Sequence, residues 1–330
     1  MRIERDIIYI ILGFIVLMVV VPWTAGQLSD QVFFNWPFFF EVAIGGLLSG
    51  VMYSLIALGF VLIFKASGVF NFSQGAIVLF AALTLVGLHG LGLPMWLAIV
   101  ATMGVMFLLA VAIERLVLSK LVNQEPIILF MATIGIAYFL DGFGQTLWGS
   151  EVKVLNLGIS EAPGFYFDGQ ILINDFDLFA AGIAAVMVIG LSIFFQYTRI
   201  GRALRAVADD HQAALSVGIP LKHIWIIVWT VAGLVGLVAG MMWGSKMGVQ
   251  FALSLIALKA LPVLILGGFT SVPGAIIGGL IIGAGEKLAE VFLAPMIGGG
   301  IEEWFAYMLA LAFLVFRPQG LFGEKIIERV

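Results

Sequence analysis

Apolar residues occur along this chain in long runs that charged residues rarely interrupt. The runs 7–29, 42–64, 178–198 and 224–245 contain no Asp, Glu, Lys or Arg. An α-helix needs about 20 consecutive apolar residues to cross the hydrocarbon core of a bilayer. The pattern therefore predicts an all-α, polytopic membrane protein.

Ten membrane spans account for the whole pattern. The first begins at Ile7, and the absence of an Ala-x-Ala site after it favours a span over a cleaved signal peptide. The others are predicted near 39–64, 74–91, 94–118, 126–148, 177–196, 223–245, 250–266, 272–294 and 302–316. We expect a single transmembrane domain over 1–330, with both termini on the same side.

The basic residues indicate which side that is. Lys and Arg near span ends concentrate in the cytoplasm, whereas Asp and Glu contribute little to orientation. Cytoplasmic termini in an inner membrane place twelve of the 16 basic residues inside: Arg2, Arg5, Lys65, Arg115, Lys120, Arg199, Arg202, Arg205, Lys222, Arg317, Lys325 and Arg329.

Composition supports helices packed closely in lipid. The chain is 62% hydrophobic and 11% charged, and it contains 40 glycines. Many glycines lie inside the apolar runs at small-xxx-small spacing, which lets helix backbones approach each other. The pairs are Gly46/Gly50, Gly236/Gly240, Gly240/Gly244, Gly274/Gly278 and Gly279/Gly283. We expect them to serve packing within the chain.

Two connections have distinctive sequences. The polar stretch 65–74 is either a cytoplasmic turn or a broken helix, and a broken helix at membrane depth would line a cavity. The stretch 149–175 is predicted to be periplasmic. Within it, Gly164–Ile173 has the pattern of two short strands around Asp168-Gly169, which predicts a β-hairpin.

Most catalytic chemistry is missing from the sequence. There is no cysteine, no phosphate-binding Gly-x-x-x-x-Gly-Lys-Ser/Thr motif and no zinc motif among the three histidines. We therefore expect no enzyme activity, no metal and no cofactor in this chain, and no nucleic-acid partner.

A few polar residues inside the spans are candidates for a translocation path, because burying a charge in a bilayer is costly. Lys259 either meets a substrate or carboxylate or extends its ammonium to an interface. Asp141 and Glu286 are favoured as helix-end groups or structural partners. The path candidates are Asn71, Ser73, Gln74, Asp141 and Lys259.

The predicted cytoplasmic loop 199–222 has a pattern suited to a docking partner. Asp209 or Asp210 can cap a short helix that contains Gln212, Ala213 and Ala214, and Gly218 can end it before a proline. A short amphipathic helix outside the membrane is typical of a segment that binds a partner's groove.

Three ordered motifs resemble those of branched-chain amino acid ABC permeases. The loop motif is Gly201-Arg202-Ala203-x-Arg205-Ala206-x-Ala208-Asp209-Asp210 with Ala214-x-x-x-Gly218-Ile219. An N-terminal motif runs from Ala57-Leu58-Gly59-Phe60 to Asn71-Phe72-Ser73-Gln74-Gly75, and a C-terminal motif from Lys259-Ala260 through Leu266-Gly267-Gly268 to Glu286. The resemblance covers roughly 40–320.

This resemblance implies a fold of the vitamin B12 and ribose permease type. It also implies assembly with a homologous second permease subunit, two ATP-binding subunits that hold ATP and Mg, and a periplasmic substrate-binding protein. The 199–222 loop would carry the coupling helix, although Gln212 stands where the wider family has a glutamate.

Several questions stay open at this point. The cargo can be a branched-chain amino acid, another amino acid, an amide, urea or an aromatic acid, and the permeases can pair as a homodimer or a heterodimer. An autonomous secondary transporter or channel is the alternative function; it would require ion ligands near the bilayer midplane, and few ionisable candidates occur there.

Overall fold

The computed structural model describes residues 2–29, 31–121, 124–160, 162–166, 169, 171–209, 214 and 216–323. Within them the chain is mostly helical, as expected. The helices are α1 (Arg2–Leu28), α2 (Trp36–Ser67), α3 (Gln74–Gly90), α4 (Met95–Leu116), α5 (Pro126–Trp148), α6 (Asp175–Tyr197), α7 (Arg199–Asp209), α8 (Leu221–Met247), α9 (Ala252–Gly267), α10 (Val272–Ile297) and α11 (Ile301–Phe316). A 3₁₀ turn follows α4, and a two-stranded sheet precedes α6.

Each of the ten predicted spans coincides with a helix, but the count of ten spans is not confirmed. In the described part of the chain, 6 helices are long and apolar enough to cross a membrane. Helices α9 and α10 together form a further, bent candidate, with 116° between them, which raises the number to 7. Helix α3 is apolar but shorter.

The chain divides into two compact units, and the prediction of one transmembrane domain stays a prediction. Unit 1 comprises Met1–Ser54, Ile159–Ile183 and Pro262–Val330; unit 2 comprises Leu55–Gly158 and Ala184–Leu261.

In unit 1, glycines bring α2 and α10 into backbone contact. A Cβ on Gly50 would meet the carbonyl oxygen of Gly279, and one on Gly283 would lie 2.5 Å from the Cα of Gly50. A Cβ on Gly46 would lie 2.7 Å from the Cα of Ala284. The predicted packing role of these glycines within the chain is confirmed, because no side chain fits between the two helices.

In unit 2, helix α3 is the central element, and α4, α5 and α8 pack around or beside it. Its residues from Gln74 to Leu85 are all buried, as expected for a helix that is apolar on every side. Gly236 and Gly240 of α8 face α3, where a Cβ on Gly240 would lie 2.8 Å from the carbonyl oxygen of Val78.

The predicted β-hairpin is confirmed in unit 1. Strand β1 (Pro163–Tyr166) pairs antiparallel with β2 (Ile171–Asn174), and Phe165 is opposite Leu172. Asp168 lies outside the described residues, while Gly169 has the positive φ of 81° that a tight turn favours.

Two hydrogen bonds fix this hairpin to the neighbouring helices. The Leu172 N–H donates to Glu41 of α2 at 3.0 Å, and the Tyr166 hydroxyl donates to Asp175, the first residue of α6, at 2.7 Å. The bond to Asp175 raises the pKa of the Tyr166 phenol, because it stabilises the protonated form.

Candidate functional site

The interruption predicted between Lys65 and Gln74 is a stretch of irregular backbone between two separate helices. Helix α2 ends at Ser67 and α3 begins at Gln74. Gly68 supplies a positive φ of 68° just after α2. The Phe72 N–H then donates to Thr133 of α5 at 3.0 Å. A hydroxyl from another helix thus satisfies a backbone group that the irregular segment leaves free.

Asn71, Ser73 and Gln74 form one buried network in unit 2. All three side chains are 0% exposed. The Asn71 Oδ1 accepts from the Ser73 N–H at 3.1 Å and from the Ser73 hydroxyl at 2.6 Å. This pattern organises the turn that starts α3, since a short polar side chain replaces missing backbone partners.

The Gln74 amide extends this network to a second helix. Its Nε2 donates to the carbonyl oxygen of Ala232 in α8 at 3.3 Å. Gly59 of α2 makes room for it, because a Cβ at that position would collide with the Gln74 amide. In the described structure these three polar residues support the local fold, and their part in a translocation path stays a prediction.

A cavity of about 180 Å³ lies in unit 2 beside this network. Helices α2, α3, α5 and α9 and the irregular segment before α3 contribute to its wall. The lining residues are Phe60, Phe70, Phe72, Gly75, Ala76, Ala137, Tyr138, Asp141, Phe251, Ser254, Leu255, Ala257, Leu258 and Leu261. The wall is aromatic and aliphatic, with one carboxylate.

Small residues allow the helices that form this wall to approach closely. A Cβ on Gly75 would collide with the carbonyl oxygen of Ser254 and lie 3.0 Å from the Cβ of Ala257. The rings of Phe60 and Phe70, which also line the cavity, stack with their centroids 4.9 Å apart and 13° between their planes. A tight backbone contact and a stacked aromatic pair therefore both contribute to the cavity wall.

The ionisable residues predicted inside the spans have different positions. Asp141 lines the cavity and lies within α5, so it is not a helix-end group. Lys259 is half-buried in α9 and is not among the lining residues, although its neighbour Leu258 is. Glu286 is a structural partner in unit 1, where the Tyr53 hydroxyl donates to its Oε1 at 3.4 Å.

The loop predicted at 199–222 starts with helix α7, which the sequence pattern had not singled out. Gly201, Leu204 and Val207 are buried on one face of it. Arg205 donates to the carbonyl oxygens of Phe195 at 2.8 Å and Gln196 at 3.2 Å, so it caps the end of α6. Arg205, which the sequence analysis used only as a marker of the cytoplasmic side, thus also has a structural role.

The predicted coupling residues are described only in part. Asp209 is the last residue of α7, and its predicted role as the cap of the next helix stays a prediction. The alternative cap Asp210, with Gln212 and Ala213, lies outside the described residues. Ala214 is helical and only 2% exposed. Its side chain is therefore buried within the chain itself.

Gly218 ends this second segment as predicted. Its φ is +83°, and the Ile219 N–H donates to the carbonyl oxygen of Ala214 at 3.0 Å. A left-handed glycine followed by this hydrogen bond is the Schellman arrangement that closes a helix. Val217, just before the glycine, is 75% exposed. Val217 is thus an exposed apolar side chain at this bend, and the sequence analysis did not single it out.

Sequence reasoning also missed the aromatic wall of the cavity. Ala137 and Tyr138 lie one helical turn before Asp141, so the three share one face of α5. The spacing of these three residues is visible in the sequence. That Phe60 and Phe251 line the same cavity depends on contacts between residues far apart along the chain.

Comparison with known proteins places the chain in a family. The family described as "Branched-chain amino acid transport system / permease component" matches residues 42–317. The high-affinity branched-chain amino acid transport system permease protein BraD of Pseudomonas aeruginosa is 28% identical over 308 residues, covering 88% of this chain and 98% of BraD. The corresponding protein LivH of Escherichia coli (strain K12) is 27% identical over 318 residues, covering 89% of this chain and 98% of LivH.

Among solved structures, PsaBC from Streptococcus pneumoniae in complex with Fab is similar over 90% of this chain and 94% of that chain. The identity is 16% and the TM-score is 0.45.

Proposed function

This chain belongs to the branched-chain amino acid transport system permease family, and from this premise we propose that it carries branched-chain or related amino acids across the bacterial inner membrane. Separate ATPase subunits drive the movement, a homologous second permease completes the membrane part, and a periplasmic binding protein delivers the cargo.

The observation that carries the proposal is the extent of the family match. It covers residues 42–317, which include the cavity in unit 2 and the glycine-stopped segment at Ala214–Gly218. The relatives also match along almost their whole length. A shared short motif would support only a local likeness, whereas this match extends over most of the chain.

The energy source is assigned to partners on chemical grounds. ATP binding by a P-loop needs a glycine-rich turn followed by a lysine and a hydroxyl residue, and the sequence contains no such motif. A segment closed at Gly218 is suited to transmit motion from a neighbouring subunit, because extending it costs the hydrogen bond from the Ile219 N–H to the carbonyl oxygen of Ala214. The proposed coupling residues are Asp209, Asp210, Gln212, Ala213, Ala214 and Gly218.

Uptake by the reconstituted system tests this function. The chain is expressed with the second permease and ATPase subunits of the same system, reconstituted in liposomes, and supplied with the binding protein and radiolabelled leucine, isoleucine or valine. We expect accumulation only with enclosed ATP, and no ATP hydrolysis by the chain alone.

Two other outcomes would contradict the proposal. Accumulation driven by a sodium or proton gradient, without ATPase subunits, would identify an autonomous secondary transporter. ATP-dependent uptake of another solute, with no uptake of any amino acid, would support an ATP-driven importer but contradict the proposed amino acid cargo.

A further inference from the structure

Asp141 is a carboxylate in a mostly apolar cavity wall, which also includes Ser254 and Tyr138. It lines the cavity of about 180 Å³ in unit 2, and its Oδ1 is buried without a hydrogen-bond partner in the part of the chain that the structure describes. The residue as a whole is only partly buried, but a carboxylate oxygen that is buried without a partner is costly and is normally neutralised by a proton or by a cation. The question is which of these the surroundings favour.

Aromatic rings around the cavity favour a cation. Phe60, Phe70, Phe72, Tyr138 and Phe251 all contribute to its wall. The faces of aromatic rings carry negative partial charge and attract ammonium groups within about 6 Å. A ring whose face meets a bound ammonium group would therefore add to the attraction of the carboxylate.

The rest of the wall is complementary to an aliphatic group. Leu255, Leu258 and Leu261 of α9 and Ala137 of α5 are among the lining residues. A cavity of about 180 Å³ is small, below the range of roughly 300–1,000 Å³ typical of sites for drug-sized ligands. It suits a compact molecule that combines an ammonium group with a short apolar chain.

We propose that this cavity receives the α-ammonium group of the transported amino acid through Asp141, while the leucines and aromatic rings contact its apolar side chain. This inference rests on the proposed function and names the recognition chemistry of the same site. It also predicts a selectivity: cargo without an ammonium group, such as a carboxylic acid of the same shape, is a poor substrate.

Asp141 shares one face of α5 with two other lining residues of the cavity. Ala137 and Tyr138 precede it by one turn, so a ligand whose ammonium group is bound by the carboxylate lies along a small residue and a ring of the same helix. The small side chain of Ala137 leaves space for the ligand. Enlarging it to Leu fills that space and leaves the charge in place.

The experiment compares four variants in the complete reconstituted transporter, with radiolabelled leucine as the probe. Asp141→Asn removes the charge and keeps the shape, whereas Asp141→Glu keeps the charge. Ala137→Leu reduces the cavity. Glu125→Gln is the matched control, because Glu125 is an exposed carboxylate at the other end of the same helix and does not line the cavity.

We expect Asp141→Asn to lower leucine uptake by about tenfold or more, the loss expected when one charged hydrogen bond is removed. Ala137→Leu lowers uptake as well, Asp141→Glu retains more uptake than Asp141→Asn, and Glu125→Gln is unchanged. Assembly with the ATPase subunits stays at the wild-type level in all four, since none of these residues lies in the Ala214–Gly218 segment.

Three results would overturn the inference. Wild-type uptake by Asp141→Asn would show that the cavity is covered by lipid or by the second permease and plays no part in recognition. Equal loss of assembly and uptake in Asp141→Asn would make the carboxylate structural. Uptake of 4-methylpentanoate, the analogue without the ammonium group, at the rate of leucine would reject ammonium recognition. If the wild-type complex takes up no amino acid, the proposed function fails first.

Discussion

At the scale of single residues, glycine decides where helices can meet in unit 1. A Cβ at Gly50 would collide with the Gly279 carbonyl oxygen and lie 3.0 Å from the Cα of Leu280. Gly45, on the same helix, has no atom within 4 Å of the corresponding position. Glycine is therefore required for a tight helix contact at position 50, whereas position 45 has room for a side chain.

Alanine substitution separates these two roles. Gly50→Ala is expected to destabilise the fold by about 1–3 kcal/mol, because the backbones must move apart. Gly45→Ala is expected to be neutral or to stabilise by up to about 1 kcal/mol, because alanine favours the helix. Thermal unfolding of both variants in detergent measures the difference. Equal midpoints would show that α2 and α10 do not pack through Gly50.

Residue type predicted the small-residue contacts but not the roles of the buried polar groups. Small-xxx-small spacing is visible in the sequence, and its packing role follows from lipid-phase helix association. For Asn71 and Gln74, in contrast, the sequence does not distinguish a polar residue that contacts a substrate from one that hydrogen-bonds within the protein. Only the partners, Ser73 and the carbonyl oxygen of Ala232, show that they organise the local fold.

At the scale of elements, side chains that close helix ends determine where the chain turns. The Glu290 carboxylate of α10 accepts from the Gly300 N–H at 3.2 Å and from the Glu302 N–H at 2.9 Å. These amides begin α11, where the first N–H groups lack partners within the helix. Lys287 pairs with Glu302 at 3.0 Å in the same turn.

Removing this carboxylate tests its capping role. Glu290→Ala is expected to cost about 0.5–2 kcal/mol, as for the loss of a helix cap, and to speed amide hydrogen exchange at Gly300 and Glu302. Glu290→Gln keeps acceptor oxygen without the charge and is expected to lie between wild type and Glu290→Ala. Unchanged exchange in Glu290→Ala would contradict the role.

Apolar helices could be predicted as elements because their length and hydrophobicity are local properties. Helix α7 could not, since its apolar face is only Gly201, Leu204 and Val207 between arginines, and that pattern is also typical of a solvated loop. The bend of 116° between α9 and α10 likewise depends on a short break around Gly268, whose φ is +103°.

At the scale of the whole molecule, the distribution of basic residues predicts that the hairpin and the Ala214–Gly218 segment lie on opposite sides of the membrane. The chain contains no cysteine, so single cysteines can be introduced without background. Phe165 and Val217 are exposed by 74% and 75% and are suitable positions. We expect a membrane-impermeant maleimide to label Phe165→Cys from outside and Val217→Cys only after the cells are opened. Labelling of both from outside would reject the orientation.

The last prediction concerns how motion reaches the membrane part through the helix end at Gly218. Its φ of +83° is costly for a β-branched residue, whereas asparagine tolerates this region. Gly218→Val therefore loses the bend and its hydrogen bond from Ile219 to Ala214, at a cost of about 1–2 kcal/mol, while Gly218→Asn preserves both. Ala214→Glu is more severe, because it puts a carboxylate at a site that is 2% exposed.

These variants lie outside the apolar helices, so we expect normal insertion of Gly218→Val and Gly218→Asn. Pull-down with the ATPase subunits and uptake in vesicles measure the effect. Gly218→Val should copurify poorly or hydrolyse ATP without uptake, and Gly218→Asn should retain both, because the bend and not the glycine itself is required. Full ATPase recovery and full uptake by Gly218→Val would show that this segment is only a connection, and coupling would then have to be sought elsewhere in the chain.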